Sequence, residues 1–337
     1  MSDPRLQELF DAPHTADEPP MPAGFAQGAL ARGRRRVRHR RAVRAVATGG
    51  VAAVAALAVG GVVALGGGAP GGPDRPPAAA GTGSPAKASR PTTATALLHQ
   101  ASLASYDRQV TVRPDQYIYV STLGKHREPT AEADNPDLHG DAESDLRGVE
   151  TQVRTVRMKT WTSANGRRGW GWNDSPKAPR DGSKYRTAAV PHPTLDEPTY
   201  EYLKTLPTDP DALLRRVRAA AQATADQKPG QQKLVDYLTF EDIEQLLRVQ
   251  VLPSRLAGAL YTDLGRIEGV TLVPDIADAA GRHGVGVAMS DPLSHIRTTI
   301  ILNKKSYEYL GDRRDDRDGR FLDWTAVLDT RVVNSVD

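Results

Sequence analysis

From Ala45 to Gly68 no residue is charged, whereas after Leu97 apolar positions recur at the periods of helices and strands. The stretch AVATGGVAAVAALAVGGVVAL is 21 residues long, which matches the roughly 20 residues that cross a bilayer core. The pattern predicts one transmembrane helix within 45–68. Residues 69–96 are dominated by Gly, Pro, Ala and Ser and cannot bury a core, so they read as a flexible linker. A single folded domain is expected over 97–337.

Within that domain the pattern predicts a short helix over Leu97–Tyr106 and a strand in RPDQYIYVST, followed by a polar surface loop from Leu123 to Gly148. VETQVRTVRMKTWTSANGRRGWGWN reads as two strands joined at Asn165-Gly166, a dipeptide that favours a tight hairpin turn. After a Pro-rich connection, LPTDPDALLRRVRAAAQATAD reads as a capped helix with Leu213, Leu214 and Val217 on one face. Thr239 and Asp242 suggest a capping-box start for a second helix. A third follows Pro253, with Leu256, Leu260, Leu264 and Ile267 in one stripe and Gly269 ending it. The chain then returns to strand periods in GVTLVPDIADAAGRHGVGVAM, RTTIILNKKSYEYLG and FLDWTAVLDTRVVNSV, with DRRDDRDG as a charged turn. Strands, then helices, then strands without regular alternation imply an α+β fold with an antiparallel sheet and two to four helices.

Charge sets the topology. The formal net charge is +3, but residues 1–44 carry nine Arg against five Asp and Glu, and residues 91–337 carry 32 Lys and Arg against 35 Asp and Glu. Eight of those Arg, from Arg32 to Arg44, stand immediately before the uncharged run. By the positive-inside rule, 1–44 is a cytoplasmic tail and the domain lies outside the cell membrane. A basic cluster abutting an apolar run is a topology signal rather than a nucleic-acid footprint. A cleaved signal peptide would need an n-region far longer than usual. A buried soluble helix would be apolar all round beside eight Arg.

Chemistry is sparse. The absence of Cys excludes disulfides, zinc thiolates and a cysteine nucleophile. The eight His are scattered without metal-ligand spacing, and HExxH and GxSxG are absent. The turn around Asp316, Asp318 and Gly319 has Arg314 and Thr325 where a calcium loop needs carboxylates. GRHGVG has its glycines in the wrong order for a dinucleotide loop and reads as a hairpin turn. No metal or cofactor site is expected, and no catalytic residue.

Two clusters stand out as binding candidates. Tyr117, Tyr119, Trp161, Trp170 and Trp172 fall on neighbouring predicted strands, where they either fill the core or line an apolar groove. In the tail, SDPRLQELF predicts a short helix with Leu6, Leu9 and Phe10 on one face. Too short to be stable alone in water, that helix is expected to dock on a cytoplasmic protein, with the membrane surface competing for it.

Several segments carry a family resemblance: RLQELF, the Arg cluster and its helix, RPDQYIYV, KTWTSANG, LPTDPDALLRRVR and LPSRLAGALYTDLGRIEGVTLVPDIADAAGRHGVGVA. Together they resemble a family of actinobacterial single-pass membrane proteins that carries no assigned activity, so the likeness implies fold and location alone. At the level of architecture the chain is also similar to periplasmic lipid-binding or lipoprotein-sensing half-barrels, including regulatory partners of membrane anti-sigma factors. That similarity implies an apolar cavity and a lipid or lipoprotein ligand, although the tail is short for an anti-sigma domain and lacks a zinc motif. The expectation is a membrane-anchored sensory or regulatory module that binds an envelope ligand or protein, and not an enzyme. The alternatives are a hydrolase using a carboxylate pair from the acidic stretch between Asp134 and Asp145, and a purely structural envelope protein.

Overall fold

The computed structural model describes residues 91–130, 150–175, 179, 181–227 and 230–336. The expected tail with Leu6, Leu9 and Phe10, the transmembrane helix, most of the linker and the acidic stretch from Asp134 to Asp145 lie outside the described residues. Among the described residues no helix is long and apolar enough to cross a membrane.

The domain is α+β, with nine antiparallel strands in one open sheet among the described residues. The strands are β1 Tyr117–Pro129, β2 Thr151–Ser163, β3 Gly169–Asn173, β4 Tyr185–Arg186, β5 Thr271–Ala277, β6 His283–Ser290, β7 Arg297–Leu302, β8 Tyr309–Asp315 and β9 Phe321–Val333. The described helices are α1 Ala94–Tyr106, α2 Tyr200–Leu203, α3 Pro210–Ala225, α4 Val235–Leu247 and α5 Ser254–Leu264. Two meanders, β1 to β4 and β5 to β9, join where β1 pairs with β9, giving the order β4-β3-β2-β1-β9-β8-β7-β6-β5. Helices α2 to α5 are inserted between the two edge strands.

Local signals explain most of these elements. Thr93 caps α1 by accepting from the Ala96 amide at 3.1 Å, so the helix begins three residues before the expected boundary at Leu97. Asp209 caps α3 through the Ala212 amide at 2.9 Å, with Pro210 in the first turn. The expected capping box at Thr239 does not form. A 3₁₀ turn over Gln231–Leu234 extends α4 toward the N-terminus, and the buried Thr239 hydroxyl bonds back to the Val235 carbonyl at 2.6 Å. The third helix ends at Leu264, five residues before Gly269. A fifth helix, α2, arises in the Pro-rich connection because Thr199 caps it through the Tyr202 amide.

Two expected loops are partly strand. Leu123–Pro129 belongs to β1, whose polar residues find partners across the ladder: Glu128 with Arg154, and His126 with Asp323 at 2.5 Å. Asp312–Asp315, read as part of a charged turn, completes β8, and the turn itself is confined to Asp316–Arg320. At Asn165-Gly166 the connection is wider than a two-residue turn, because Ser163 bonds to the Arg168 carbonyl at 2.8 Å and Asn165 accepts from the Arg167 amide at 3.1 Å. Gly166, at φ 70°, supplies the left-handed step. Of GRHGVG only Gly281 and Arg282 lie in the β5–β6 turn, and His283–Gly286 begin β6; the turn is held by Asp278, which accepts from the amides of Ala280 and Arg282 at 2.9 Å each.

The main core lies between the helices and one face of β6 and β7. Phe240, Ile243, Leu246 and Leu247 of α4 and Leu256, Leu260 and Leu264 of α5 pack with Val285, Val287, Ile300 and Leu302. Each such side chain contributes roughly 1.5–3 kcal/mol by leaving water. A smaller cluster continues it under β1, where Ile118 packs with Tyr200 and Val251. On the opposite face the C-terminal meander curls, so that the β5–β6 turn meets β8 and β9: Trp324 Nε1 donates to the Ala277 carbonyl at 3.0 Å, and Arg282 to the Val327 carbonyl at 2.6 Å.

Candidate functional site

Residues directly opposite in an antiparallel ladder share a face of the sheet, so the register assigns every side chain of β1, β2 and β3 to one side or the other. Ile118 is on the helix side, which places Tyr117 and Tyr119 on the other. Tyr119 is opposite Trp161, Trp161 is opposite Trp170, and Lys159 is opposite Trp172. All five aromatics singled out in the sequence therefore come together on the face turned away from the helices. They form an open row on the sheet surface, not the lining of a space enclosed by sheet and helices. Tyr119 and Trp161 touch, with ring centroids 5.1 Å apart.

Each ring of this row lies under a cation. Lys184 sits 5.0 Å from the centre of Trp161, Lys159 4.8 Å from Trp172, Arg186 4.3 Å from Trp170, Arg331 4.9 Å from Tyr119 and Arg168 5.3 Å from Tyr117. The row continues onto β9, where Trp324 lies between Lys125 and Arg313. Such contacts are electrostatic, the charge resting on the negative face of the ring. They explain why Tyr119 and Trp161 are only 8% and 5% exposed on a sheet face that no described helix covers. Arg331 and Arg313 are also paired with Asp329 and Asp315. Among the described residues no carboxylate pairs with Lys125, Lys159, Lys184, Arg168 or Arg186. Sequence reading located the rings but missed the cations. Lys159 alternates with Trp161 along one strand, but Arg186 and Arg331 come from β4 and β9 and are placed only by the register.

The helix side of the sheet carries different chemistry. Arg248, capping the C-terminal end of α4, approaches both Glu244 and Asp312 at 3.5 Å. The Tyr309 hydroxyl donates to Asp312 at 2.8 Å, with Glu244 at 3.3 Å, and the Thr325 hydroxyl donates to Asp312 at 2.6 Å. Burial, then Asp312 and Glu244, push the Tyr309 phenol well above its usual range. Burial acts to lower the Arg248 pKa, but Asp312 and Glu244 outweigh it and raise the value. The two carboxylates face one another, yet both are already engaged by Arg248 and Tyr309, so the cluster ties α4 to β8 and β9. Among the described residues no group of three or more His, Asp or Glu is placed to hold a metal ion.

No family model matches the sequence, and no curated protein matches it. Among solved structures, the chain is similar to a domain from Vibrio parahaemolyticus assigned as an outer membrane lipoprotein-sorting protein, at 10% identity over 71% of this chain and 93% of that one. The TM-score is 0.22, at which the likeness carries no argument about function.

Proposed function

We propose that this protein is a membrane-tethered binding module, held by one N-terminal helix with its domain outside the cell membrane, and that it recognises an anionic envelope ligand through the aromatic and cationic face of β1, β2 and β3. The observation that carries this reading is the set of five rings, each under a Lys or Arg, most of those cations without a carboxylate partner among the described residues. A folded protein has no need to gather unneutralised like charges on one sheet face, since they repel; an anionic partner relieves that repulsion and gains the attraction. Binding is favoured over catalysis because the buried carboxylates Glu244 and Asp312 are held by Arg248, Tyr309 and Thr325. The eight Arg before the uncharged run support the tether and its orientation.

The test uses the full chain in a neutral detergent, with long-chain polyphosphate as anionic probe and dextran as neutral control. All four Trp lie in the row, Trp161, Trp170 and Trp172 on β2 and β3 and Trp324 in its continuation on β9, so their emission reports directly on the site. The expected result is a salt-sensitive change with polyphosphate and none with dextran. Unchanged emission with every anionic probe offered would count against the reading.

A further inference from the structure

Resting on the anionic-ligand reading, we infer that the occupant of this face is the surface of an anionic phospholipid bilayer, on which the sheet lies with the half-buried rings of Tyr117, Trp170 and Trp172 at headgroup level. Three observations favour a bilayer over a compact anion. The cations do not converge. Lys159, Arg168, Lys184 and Arg186 are each spent on a separate ring along the row, an arrangement that meets an array of phosphates rather than one.

The rings are of the interfacial kind. Trp and Tyr join an apolar body to a polar tip and gather at membrane–water boundaries, where Lys and Arg stems lie along apolar surface with their charges toward phosphate. Trp170 and Trp172 are half-buried, not sealed, so their edges remain available. The face also belongs to extended strands on which no described helix packs, the shape that lies against a surface rather than around a ligand.

Each cation near an anionic surface adds about a fivefold gain in partitioning, from roughly 1 kcal/mol apiece, and the gain is screened by salt. Several acting together make a contact that is weak per residue and strong per domain. For a tethered domain, docking is intramolecular, so even a weak contact is populated.

The experiment reconstitutes the full chain into vesicles of phosphatidylcholine alone or mixed with phosphatidylglycerol, with brominated acyl chains as quenchers of Trp emission. Quenching is expected in the anionic vesicles, falling to the level of the zwitterionic ones in high salt. The triple substitution Lys159→Gln, Arg168→Gln and Arg186→Gln should abolish the difference between the two lipids, with the unfolding midpoint monitored in parallel. The comparison of lipids in the unsubstituted chain stands even if that variant folds poorly. Equal quenching in the two lipids, together with a polyphosphate response in detergent, overturns the bilayer as occupant and leaves the anionic-ligand reading intact. Equal quenching with no polyphosphate response overturns both.

Discussion

The guanidinium of Arg186 lies 4.3 Å above the centre of the Trp170 ring, and the two residues are directly opposite across the β3–β4 ladder. β4 is only two residues long, and its other residue, Tyr185, is opposite Gly171 and accepts from the Asn173 side chain at 3.2 Å. The Arg186 charge nevertheless faces solvent, since that residue is exposed. The same side chain thus caps a ring and presents a cation.

Because an exposed cation–π contact is worth about 0.5–1 kcal/mol, Arg186→Gln should lower the unfolding free energy by no more than that. Urea unfolding followed by circular dichroism checks it. A loss of several kcal/mol would mean that Arg186 holds the fold, and that binding defects of its variants cannot be assigned to charge alone.

The Arg248 network makes the opposite prediction. Glu244 and Asp312 have side chains only 5% and 2% exposed, and removing the guanidinium takes a shared cation from two buried carboxylates. Breaking such a pair from one side costs about 3–5 kcal/mol. Arg248→Met should therefore destabilise far more than Arg186→Gln, and the difference between their urea midpoints measures it. Equal midpoints would show that the network contributes little.

These contrasts mark what the sequence made legible. Apolar stripes such as Leu256–Leu260–Leu264 and capping residues such as Asp209 depend on neighbours three or four positions away, and the helices they predict are present. Thr239 misled because a capping motif is also compatible with a helix that starts earlier. Charged strand residues were read as loop at Lys125–Glu128 and Asp312–Asp315, because their partners lie on β2, β9 and α4, distant in sequence. The site divided along the same line. Trp161, Trp170 and Trp172 cluster in sequence, whereas Arg331, above Tyr119, is some two hundred positions away from its ring. The expected groove became an open row for a related reason: strand periodicity assigns residues to two faces without saying which one the helices cover.

The proposed topology is open to a direct test. Protease added to intact cells should remove the domain and spare residues 1–44, because the Arg cluster precedes the uncharged run. A C-terminus cut only after lysis would reverse the topology. In the same cells, Leu6→Ser, Leu9→Ser and Phe10→Ser together should abolish crosslinking of the tail to a specific cytoplasmic protein while leaving insertion unchanged. Recovery of the same proteins with and without those side chains would reduce the tail to a topology signal.

Asp263, on α5, makes stability depend on pH. Its side chain is fully buried and neither oxygen accepts a hydrogen bond. The nearest cation, Arg266, is 3.7 Å away and is itself turned to Asp211 at 2.6 Å. Burial pushes the carboxyl up to about 7 from 3.8; Arg266 opposes the shift, and Asp211 and Asp209 at the start of α3 add to it. The folded state thus binds this proton more tightly than the unfolded chain, so the group's contribution is most favourable at low pH and is lost as pH rises from about 4 to about 7. Above that window the buried charge costs on the order of 4 kcal/mol. Asp263→Asn removes the ionisation while keeping the shape. Its advantage over the unsubstituted chain should be modest at pH 5, grow by about 2–3 kcal/mol as pH rises to 7, and level off by pH 8. Urea unfolding at pH 5, 7 and 8 measures that difference. A gain that is constant across the three pH values would show that Asp263 is not the group that titrates, and that its burial is offset by contacts other than those of Arg266.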